Sequence, residues 1–374
     1  MCTHKDKLNG LNKHISLHEK ITSTHKILRD TFPFLERIAI AIYDPKTGLV
    51  KTYIHSGNKN ALAHYQTYLD KVPSLKKIVE QGLPRVINNF LTFENSNSEH
   101  AKRIGRHGFL ASYTLPIFNN GEFFGFIFFN SNESDVFTES VLQQLDVYGH
   151  MISLMVINEA NLINTLSAAV KTTGKLSHLR DPETGSHLDR MSRYSRMIAI
   201  ALAEKYQLSD DFIEHLFMFS PLHDIGKIAI PDSILLKPDR LDDSEKMIMQ
   251  THAAAGREII DDLLENFELE NIEYTGMLRN IIEFHHETIN GQGYPSGLKA
   301  EQIPIESRIV AVADVFDALT SVRPYKEAWS NEKAFELLHK LAGETLDQDC
   351  VDALFNHQAE IEKIQRSFTD NFYG

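Results

Sequence analysis

The 374-residue sequence predicts an α+β domain with an antiparallel sheet, then a long connecting helix, then an all-helical domain. Three observations lead to this prediction. Short apolar runs separated by turn residues fill the first third of the chain, as strands do. A stretch with a helical apolar stripe and no proline follows. From about residue 165 onward the apolar spacing is almost entirely helical. We expect the domains to span 1–155 and 165–374, joined by a helix over 138–170.

The first domain is predicted to open with a helix over 14–31, in which apolar residues such as Ile21 and Leu28 recur at helical spacing. Later, Asn120-Gly121 lies between two apolar runs, which is a strong signal for a β-hairpin. The predicted strands are 37–43, 49–55, 85–87, 112–118 and 122–130, with short helices over 61–69 and 74–81 and a loop over 93–100.

The order of these elements, together with RHGFLASYTLPIFNNGEFFGFIFF from Arg106 to Phe129, resembles a GAF domain. The resemblance covers about residues 14–155. It implies a sensory fold with a pocket for a small ligand or with a dimerisation surface. A purely structural domain without a ligand remains the alternative.

The connecting helix is predicted to start at Thr138 and to carry a heptad-like apolar stripe. Such a helix can pair with its twin in a parallel homodimer and transmit a signal to the second domain. Packing of the helix on its own domain is the alternative. The stripe consists of Val141, Leu145, Tyr148, Ile152, Met155, Leu162, Leu166 and Ala169.

Charge and composition exclude several classes of protein. The formal net charge of −13 argues against general binding of nucleic-acid polymers, which requires a basic surface. Two cysteines, Cys2 and Cys350, cannot form a disulfide framework. The first ten residues lack an apolar signal core, and no apolar run reaches the roughly 18 residues that span a bilayer. We therefore expect a soluble, cytoplasmic protein without a membrane partner.

The second domain is predicted to consist of helices over 186–206, 210–220, 244–264, 274–286, 307–321 and 331–342. Several polar residues interrupt their apolar segments. His223-Asp224 stands among Leu222, Ile225 and Ile228, and Asp314 lies in the apolar run RIVAVADVFDAL. Buried polar groups need partners, and a metal ion is one such partner.

Further histidines and acids fit the same interpretation. Glu183 and His187 are four residues apart and would share one face of a helix. His285 and His286 close an apolar helix, where adjacent side chains diverge by about 100° and so suit two neighbouring metals. His252 lies in an amphipathic helix, and taken singly it favours a structural role over a role as a metal ligand. Mixed histidine and carboxylate ligands suit iron, manganese or zinc.

HDIGK at 223–227 and HHETINGQGYP at 285–295 resemble the two signatures of the HD-GYP family, part of the HD phosphohydrolase superfamily. ETGSH at 183–187 and VADVFDALTSVRPYK at 312–326 follow the same pattern, and the resemblance covers about residues 165–360. It implies hydrolysis of a cyclic dinucleotide, cyclic di-GMP first. It also implies a set of eight metal ligands: Glu183, His187, His223, Asp224, His252, His285, His286 and Asp314.

Eight ligands exceed what one metal needs, so we expect two or three divalent ions, with Asp224 as a bridge. The resemblance implies iron as the first choice of metal and manganese as the second, and three ions where an acid such as Glu183 is present. Catalysis is assigned to Asp224 and Lys227, since Lys227 lies one turn beyond His223 and can face the same phosphate. The resemblance adds Arg323 and Lys326 as a phosphate-binding pair. Tyr294 either stacks on a base or shapes its loop.

Several alternatives stay open. The substrate can be a hybrid guanine-adenine ring, and the product the linear dinucleotide, two mononucleotides or both. Another nucleotide phosphohydrolase, a di-iron oxygenase and an effector that binds a cyclic dinucleotide without cleaving it are competing interpretations. The complete ligand set and the cationic residues favour the phosphodiesterase.

Overall fold

The computed structural model divides into two compact units, Met1–Asn161 and Leu162–Gly374. Each unit has its own buried apolar core. The structure describes residues 6–13, 15–57, 62–90, 107–176, 185–267, 269, 273–322 and 327–369.

Within its described part, the first unit holds one antiparallel sheet. Its strands are β1 (Leu35–Asp44), β2 (Leu49–Ser56), β3 (Gln66–Tyr68), β4 (Arg85–Ile87), β5 (Ala111–Asn119) and β6 (Glu122–Ser131). They lie in the order β3-β2-β1-β6-β5-β4, and each neighbouring pair is antiparallel. The predicted antiparallel α+β domain is therefore confirmed.

The predicted hairpin joins β5 to β6. Asn120 and Gly121 both have positive φ angles, 51° and 86°, as a two-residue type I′ turn requires. Asn119 pairs with Glu122 directly across the turn. The turn sets the register that buries Phe129 and Ile127 of β6 in the core of the first unit.

Two of the α-helices that the structure describes lie wholly within the first unit. Helix α1 (Leu17–Thr31) starts with a capping box, in which Ser16 accepts from the backbone of Glu19 and the Glu19 side chain accepts from the backbone of Ser16. Its buried face includes Ile21 and Leu28, which pack in the core of the first unit. Helix α2 (Pro73–Gln81) begins with proline, whose missing N–H is no loss at that position.

The predicted helix over 61–69 is wrong. Gln66–Tyr68 forms β3, which pairs with Leu49, Val50 and Lys51 at the edge of the sheet. Threonine and tyrosine favour strands, and pairing with β2 outweighed the weak helical spacing. The predicted loop over 93–100 and residue 61 lie outside the described residues.

Helix α3 (Glu139–Leu176) begins in the first unit and ends in the second. Leu145 and Ile152 of the predicted stripe are fully buried in the core of the first unit, and Leu166 is buried in the core of the second. For these residues the interpretation as a dimer seam is wrong, because a core-facing helix produces the same apolar spacing. The side chain of Ala169 is outside the described set.

The described part of the second unit is helical, which confirms the predicted fold class. Its α-helices are α4 (Gly185–Tyr206), α5 (Asp210–Phe219), α6 (Asp232–Leu235), α7 (Asp243–Gln250), α8 (His252–Asn266), α9 (Thr275–Phe284), α10 (Ile305–Thr320), α11 (Asn331–Leu341), α12 (Gln348–Phe355) and α13 (Gln358–Ser367). Tyr194 of α4 and Phe316 of α10 pack edge to face in its core, with ring centroids 5.4 Å apart.

Two helix predictions need correction. The predicted helix over 244–264 is divided at Thr251, whose backbone N–H and side chain both bond the Ile248 carbonyl. These contacts reach back three residues, so the regular four-residue pattern is interrupted. The predicted helix over 274–286 ends at Phe284, so His285 and His286 stand in the following turn. Among the described helices, none combines the length and apolar character needed to cross a bilayer.

Candidate metal centre

Five separate segments of the second unit bring the predicted ligands together. His187 is in the first turn of α4, His252 is the first residue of α8, and Asp314 lies within α10. His223 and Asp224 sit between two 3-10 turns, and His285 and His286 follow α9. The potential ligand atoms form two groups, each with its atoms within 4.8 Å of one another: Asp224, His252, His285 and His286 in the first, and His187, His223 and Asp314 in the second.

A close approach of two glycines brings Asp224 to His252. Gly226 follows Asp224 in the 3-10 turn Ile225–Ala229, and it packs directly on α8 at Gly256. A Cβ atom on Gly226 would lie 1.8 Å from the carbonyl oxygen of His252. Any larger residue would push the turn away from α8, so glycine is required here for the first group to form.

The local backbone orients three of the imidazoles. Nδ1 of His223 lies 3.0 Å from the Ser220 carbonyl, and Nδ1 of His252 lies 2.8 Å from the Met249 carbonyl. Nδ1 of His285 is 2.9 Å from the Ile281 carbonyl. A carbonyl oxygen only accepts hydrogen bonds, so each Nδ1 carries the hydrogen. In the neutral ring, each Nε2 therefore presents a lone pair, which is the form that binds metals.

The carboxylate of Asp224 is the centre of the first group. Its Oδ1 lies 3.1 Å from Nε2 of His252 and 3.5 Å from Nε2 of His285. Its Oδ2 lies 3.2 Å from Nε2 of His223 and 2.7 Å from Nζ of Lys227. Asp224 therefore reaches imidazoles of both groups, which is the position a bridging carboxylate would take.

The second group is wider. Oδ1 of Asp314 lies 3.9 Å from Nε2 of His187 and 3.9 Å from Nε2 of His223. The His187 and His223 rings are 6.1 Å apart between centroids. Separations of this size are too long for direct hydrogen bonds and leave space between the ligand atoms for an ion.

The protonation states favour a metal cation. Burial lowers the pKa of His285 and lowers that of His286 well below its usual value. Burial alone would raise the pKa of Asp224, but the Lys227 ammonium and the His223 imidazole outweigh it and hold that pKa well below the usual range. Neutral rings of His285 and His286 therefore lie beside an ionised Asp224.

Two acceptors in contact need a cation or a proton between them. Nε2 of His252, Nε2 of His285 and Oδ1 of Asp224 are buried, and within the described part of the chain none of them makes a hydrogen bond. The lowered pKa of His285 disfavours a proton at this place. The donor set of imidazole nitrogens and carboxylate oxygens suits iron, manganese or zinc, so the residues fit a divalent transition metal.

Tyr294 and its loop form one side of the site. The Tyr294 ring lies 4.8 Å from the His286 ring and 6.2 Å from the His252 ring, between centroids, and burial raises the pKa of its hydroxyl. The buried carboxylate of Glu287 holds the loop, because it accepts from the backbone N–H groups of Ser296 at 2.6 Å and Leu298 at 3.0 Å.

Three of the predicted site residues, Glu183, Arg323 and Lys326, lie outside the described residues. Two further residues of the site, Glu287 and Asp317, were not predicted from the sequence. Glu287 follows the His-His pair directly, and its burial could not be inferred from a turn-rich segment. Asp317 was also missed and lies 2.8 Å from Nδ1 of His187. The sequence signal that indicated Asp314, a carboxylate within an apolar helix, applies equally to Asp317.

Comparison with known proteins places these features in context. Residues 179–350 match the HD domain family, and residues 19–156 match the GAF domain family. The cyclic di-GMP phosphodiesterase response regulator RpfG of Xanthomonas campestris pv. campestris is 44% identical over 190 residues, covering 51% of this chain and 47% of that protein. A cyclic di-GMP phosphodiesterase of Thermotoga maritima is 40% identical over 195 residues, covering 52% and 50%.

A third relative is named for a different cyclic dinucleotide. The 3'3'-cGAMP-specific phosphodiesterase 2 of Vibrio cholerae is 34% identical over 259 residues, covering 66% of this chain and 48% of that protein. The chain spans about half the length of the curated relatives it matches. The two family matches and the two compact units agree on the content of the chain: it contains a GAF domain followed by an HD domain.

Proposed function

We propose that this chain is a metal-dependent phosphodiesterase that hydrolyses a cyclic dinucleotide, with cyclic di-GMP as the first candidate. The observation that carries the proposal is the convergence of four imidazoles, His187, His223, His252 and His285, on the carboxylates of Asp224 and Asp314. The names of the relatives supply the substrate class.

We propose that seven of the described residues hold the metals: His187, His223, Asp224, His252, His285, His286 and Asp314. Glu183 is an eighth candidate ligand and would decide between two and three ions. Iron is the first candidate and manganese the second, since imidazole and carboxylate ligands serve both. Ions bound there would act as Lewis acids that activate a water molecule as the nucleophile and polarise the phosphoryl oxygens of the substrate.

Lys227 is the residue best placed to act on the phosphate. Its ammonium lies 2.7 Å from Oδ2 of Asp224, and its side chain keeps 19% of its exposure, so it stands at the accessible edge of the cluster. A cation at this edge can donate to a phosphoryl oxygen as negative charge develops there. We propose Arg323 and Lys326 as further phosphate contacts, from the sequence pattern alone.

Tyr294 completes the pocket as we propose it. The aromatic ring lies beside His286, and Glu287 holds the loop that carries it. In this position Tyr294 would exclude water from one side of the cluster and offer a flat surface to a base. We therefore place it among the substrate-binding residues, not among the metal ligands.

The experiment that tests the proposal is anaerobic incubation of the full chain, loaded with Fe²⁺ or Mn²⁺, with cyclic di-GMP and with 3'3'-cGAMP in parallel. Chromatography separates the linear dinucleotide from mononucleotides and so identifies the product. Hydrolysis of either ring that depends on metal supports the phosphodiesterase. Binding without hydrolysis would favour an effector, and cleavage of nucleoside mono- or triphosphates alone would favour a different phosphohydrolase.

A second candidate substrate is the hybrid guanine-adenine ring. The observation that favours it is the match to the 3'3'-cGAMP-specific phosphodiesterase 2, which covers 66% of this chain. The ratio of kcat/KM for the two rings, measured under the same metal, decides between the candidates.

For the first domain we propose a regulatory role with a small ligand, supported by the match to the GAF family. We also propose that the chain forms a homodimer through α3. Since Leu145 and Ile152 are buried, a dimer contact on this helix would have to use the opposite face, where Val147 and Leu154 are each 69% exposed. Sedimentation of the full chain and of Leu154→Glu tests this contact, and a monomeric wild type would reject it.

A further inference from the structure

His187 of α4 lies between the carboxylates of Asp314 and Asp317, which both belong to α10. Its Nε2 is 3.9 Å from Oδ1 of Asp314, on the side of the metal cluster. Its Nδ1 is 2.8 Å from Oδ2 of Asp317, on the opposite side of the ring. Asp314 and Asp317 are three residues apart in α10, so they project from neighbouring positions on one face of the helix.

The partner of Nδ1 distinguishes His187 from His223, His252 and His285. His223, His252 and His285 each donate Nδ1–H to a backbone carbonyl three or four residues earlier, so their own turns orient them. His187 is the third residue of α4, and its Nδ1 instead meets a side chain from another helix. Its orientation therefore depends on a tertiary contact that a single substitution can remove.

Asp317 is fully buried and is itself held in place. Arg190, one turn after His187, donates from Nε to Oδ1 at 2.7 Å and from Nη2 to Oδ2 at 3.0 Å. The Ser321 hydroxyl also donates to Oδ2, at 2.9 Å. A two-pronged arginine contact fixes the plane of a carboxylate, so the ring plane of His187 is fixed too.

The same contacts keep Asp317 away from the metals. Both of its oxygens accept hydrogen bonds from Arg190, and Oδ2 accepts from Ser321 and His187 as well. The guanidinium also donates from Nη1 to the carbonyl of Phe368 at 2.7 Å, which anchors it from a third side. A carboxylate with these partners can act on a metal only through the imidazole.

We propose that Asp317 and Arg190 are positioning residues, which hold His187 with its Nε2 lone pair toward the cluster and thereby set the metal affinity of the group His187, His223 and Asp314. The inference rests on the proposed metal centre. It divides the metal sites into one class whose affinity depends on Asp317 and one class whose affinity does not. Asp224, His252, His285 and His286 do not depend on this contact. Loss of the Asp317 carboxylate should thus weaken one class of metal sites and spare the other.

The test is a titration of the metal-free full chain with Mn²⁺, in which electron paramagnetic resonance counts free and bound ions. For Asp317→Asn, we expect the affinity of one class of sites to fall about 10- to 100-fold, as when a partner behind a histidine ligand is removed. The other class should keep its wild-type affinity. Arg190→Lys keeps the charge but loses the fork, and should produce a smaller loss in the same class.

A matched control separates this effect from general loss of a buried ion pair. Asp347 is a nearly buried carboxylate of the same unit, held by Nη1 of Arg308 at 2.8 Å and capping α12. Asp347→Asn removes a comparable pair and should leave both classes of Mn²⁺ sites unchanged.

The decisive comparison uses His187→Ala. If Asp317 acts through His187, Asp317→Asn should cause no further loss of affinity in a chain that already carries His187→Ala, because the two effects are coupled. An equal loss with and without His187, or wild-type Mn²⁺ binding in both Asp317→Asn and Arg190→Lys, would overturn the inference. Wild-type protein that binds no Mn²⁺ and no Fe²⁺ would instead reject the metal centre itself, and this inference with it.

Discussion

Oδ1 of Asp224 lies 3.1 Å from Nε2 of His252, and in the neutral imidazole neither of these atoms carries a hydrogen, because Nδ1 donates to the Met249 carbonyl. The Met249 carbonyl occupies the Nδ1–H of His252, so two acceptors face each other in a buried site. Such a contact between two acceptors is unfavourable unless a cation or a proton lies between the atoms. This contact supports the proposed metal site at Asp224 and His252.

The first prediction concerns Asp224→Asn. The amide nitrogen can donate to Nε2 of His252, but the ion pair with Lys227 is lost, so the melting temperature of the metal-free protein should fall. The stabilisation by metal should be lost, which for the wild type is about 2.7 kcal/mol at a free metal concentration near 100 times Kd. Hydrolysis should fall about 100-fold or more. Calorimetric melting with and without Mn²⁺, combined with an activity assay, measures both effects.

Asp261→Asn is the control for this substitution. Asp261 is 40% exposed, pairs with Arg257 and Arg279 on the surface, and loses the same charge. It should leave metal binding and hydrolysis at the wild-type level. Undiminished stabilisation by metal in Asp224→Asn would contradict the assignment of Asp224 as a ligand.

The second prediction concerns Lys227→Met. If the ammonium acts on the phosphate, kcat should fall about 100-fold while the number of bound metal ions stays the same. Elemental analysis of the purified protein and steady-state kinetics together test this. Lys246→Met removes another lysine that is three residues from its aspartate partner, Asp243, but at an exposed place. Lys246→Met should keep wild-type kinetics. Loss of bound metal in Lys227→Met would instead show that Lys227 has a structural role in the metal site.

The third prediction concerns Glu287→Gln. Glutamine offers one acceptor oxygen where Glu287 uses two, so one of the backbone N–H groups of Ser296 and Leu298 loses its partner. We expect a loss of about 1–3 kcal/mol in the free energy of unfolding and a higher KM, because the loop of Tyr294 is released. Chemical unfolding and substrate saturation curves measure the two effects. Glu301→Gln, at an exposed position, should change neither quantity.

The fourth prediction is a pH dependence of stability that arises away from the proposed metal ligands. His215 is fully buried and burial lowers its pKa, although its bond to the Asp211 carbonyl partly opposes this. In the unfolded chain its pKa is about 6.5. As the pH falls, the unfolded chain therefore binds a proton at His215 that the folded chain does not bind. The contribution of His215 to the free energy of unfolding is thus fully present above about pH 6.5 and declines at lower pH.

The measurement is urea unfolding followed by the fluorescence of Trp329, the single tryptophan of the sequence, which lies in the second unit. His215→Gln should reduce the loss of stability between about pH 7.5 and about pH 5.5. His339→Gln, at an exposed position of the same unit, should leave that loss unchanged. Equal pH dependence in the wild type and His215→Gln would contradict the prediction.

Much of the fold could be predicted because its signals are local. The Asn120-Gly121 turn and the apolar runs on both sides of it indicated β5 and β6, since turn chemistry and apolar runs act within a few residues. The edge strand Gln66–Tyr68 could not be predicted in the same way. A strand of three residues exists only through pairing with β2, and no short-range pattern records that partner.

The candidate site shows the same division. The sequence alone was enough to select His223, Asp224, His285 and Asp314, because polar groups within apolar segments must find partners wherever they are buried. It could not tell that Asp317 lies behind His187, since the two residues are 130 positions apart and meet only when α4 packs on α10.

The sequence by itself determined the order of the two domains, the helical character of the second and the chemical types of the ligands. Periodicity, turn chemistry and the cost of burying polar groups are properties of short segments. Only the tertiary structure decided which face of α3 is covered and which carboxylate lies behind His187. Those outcomes depend on packing between segments distant in sequence, where the partner and the direction of approach are set together.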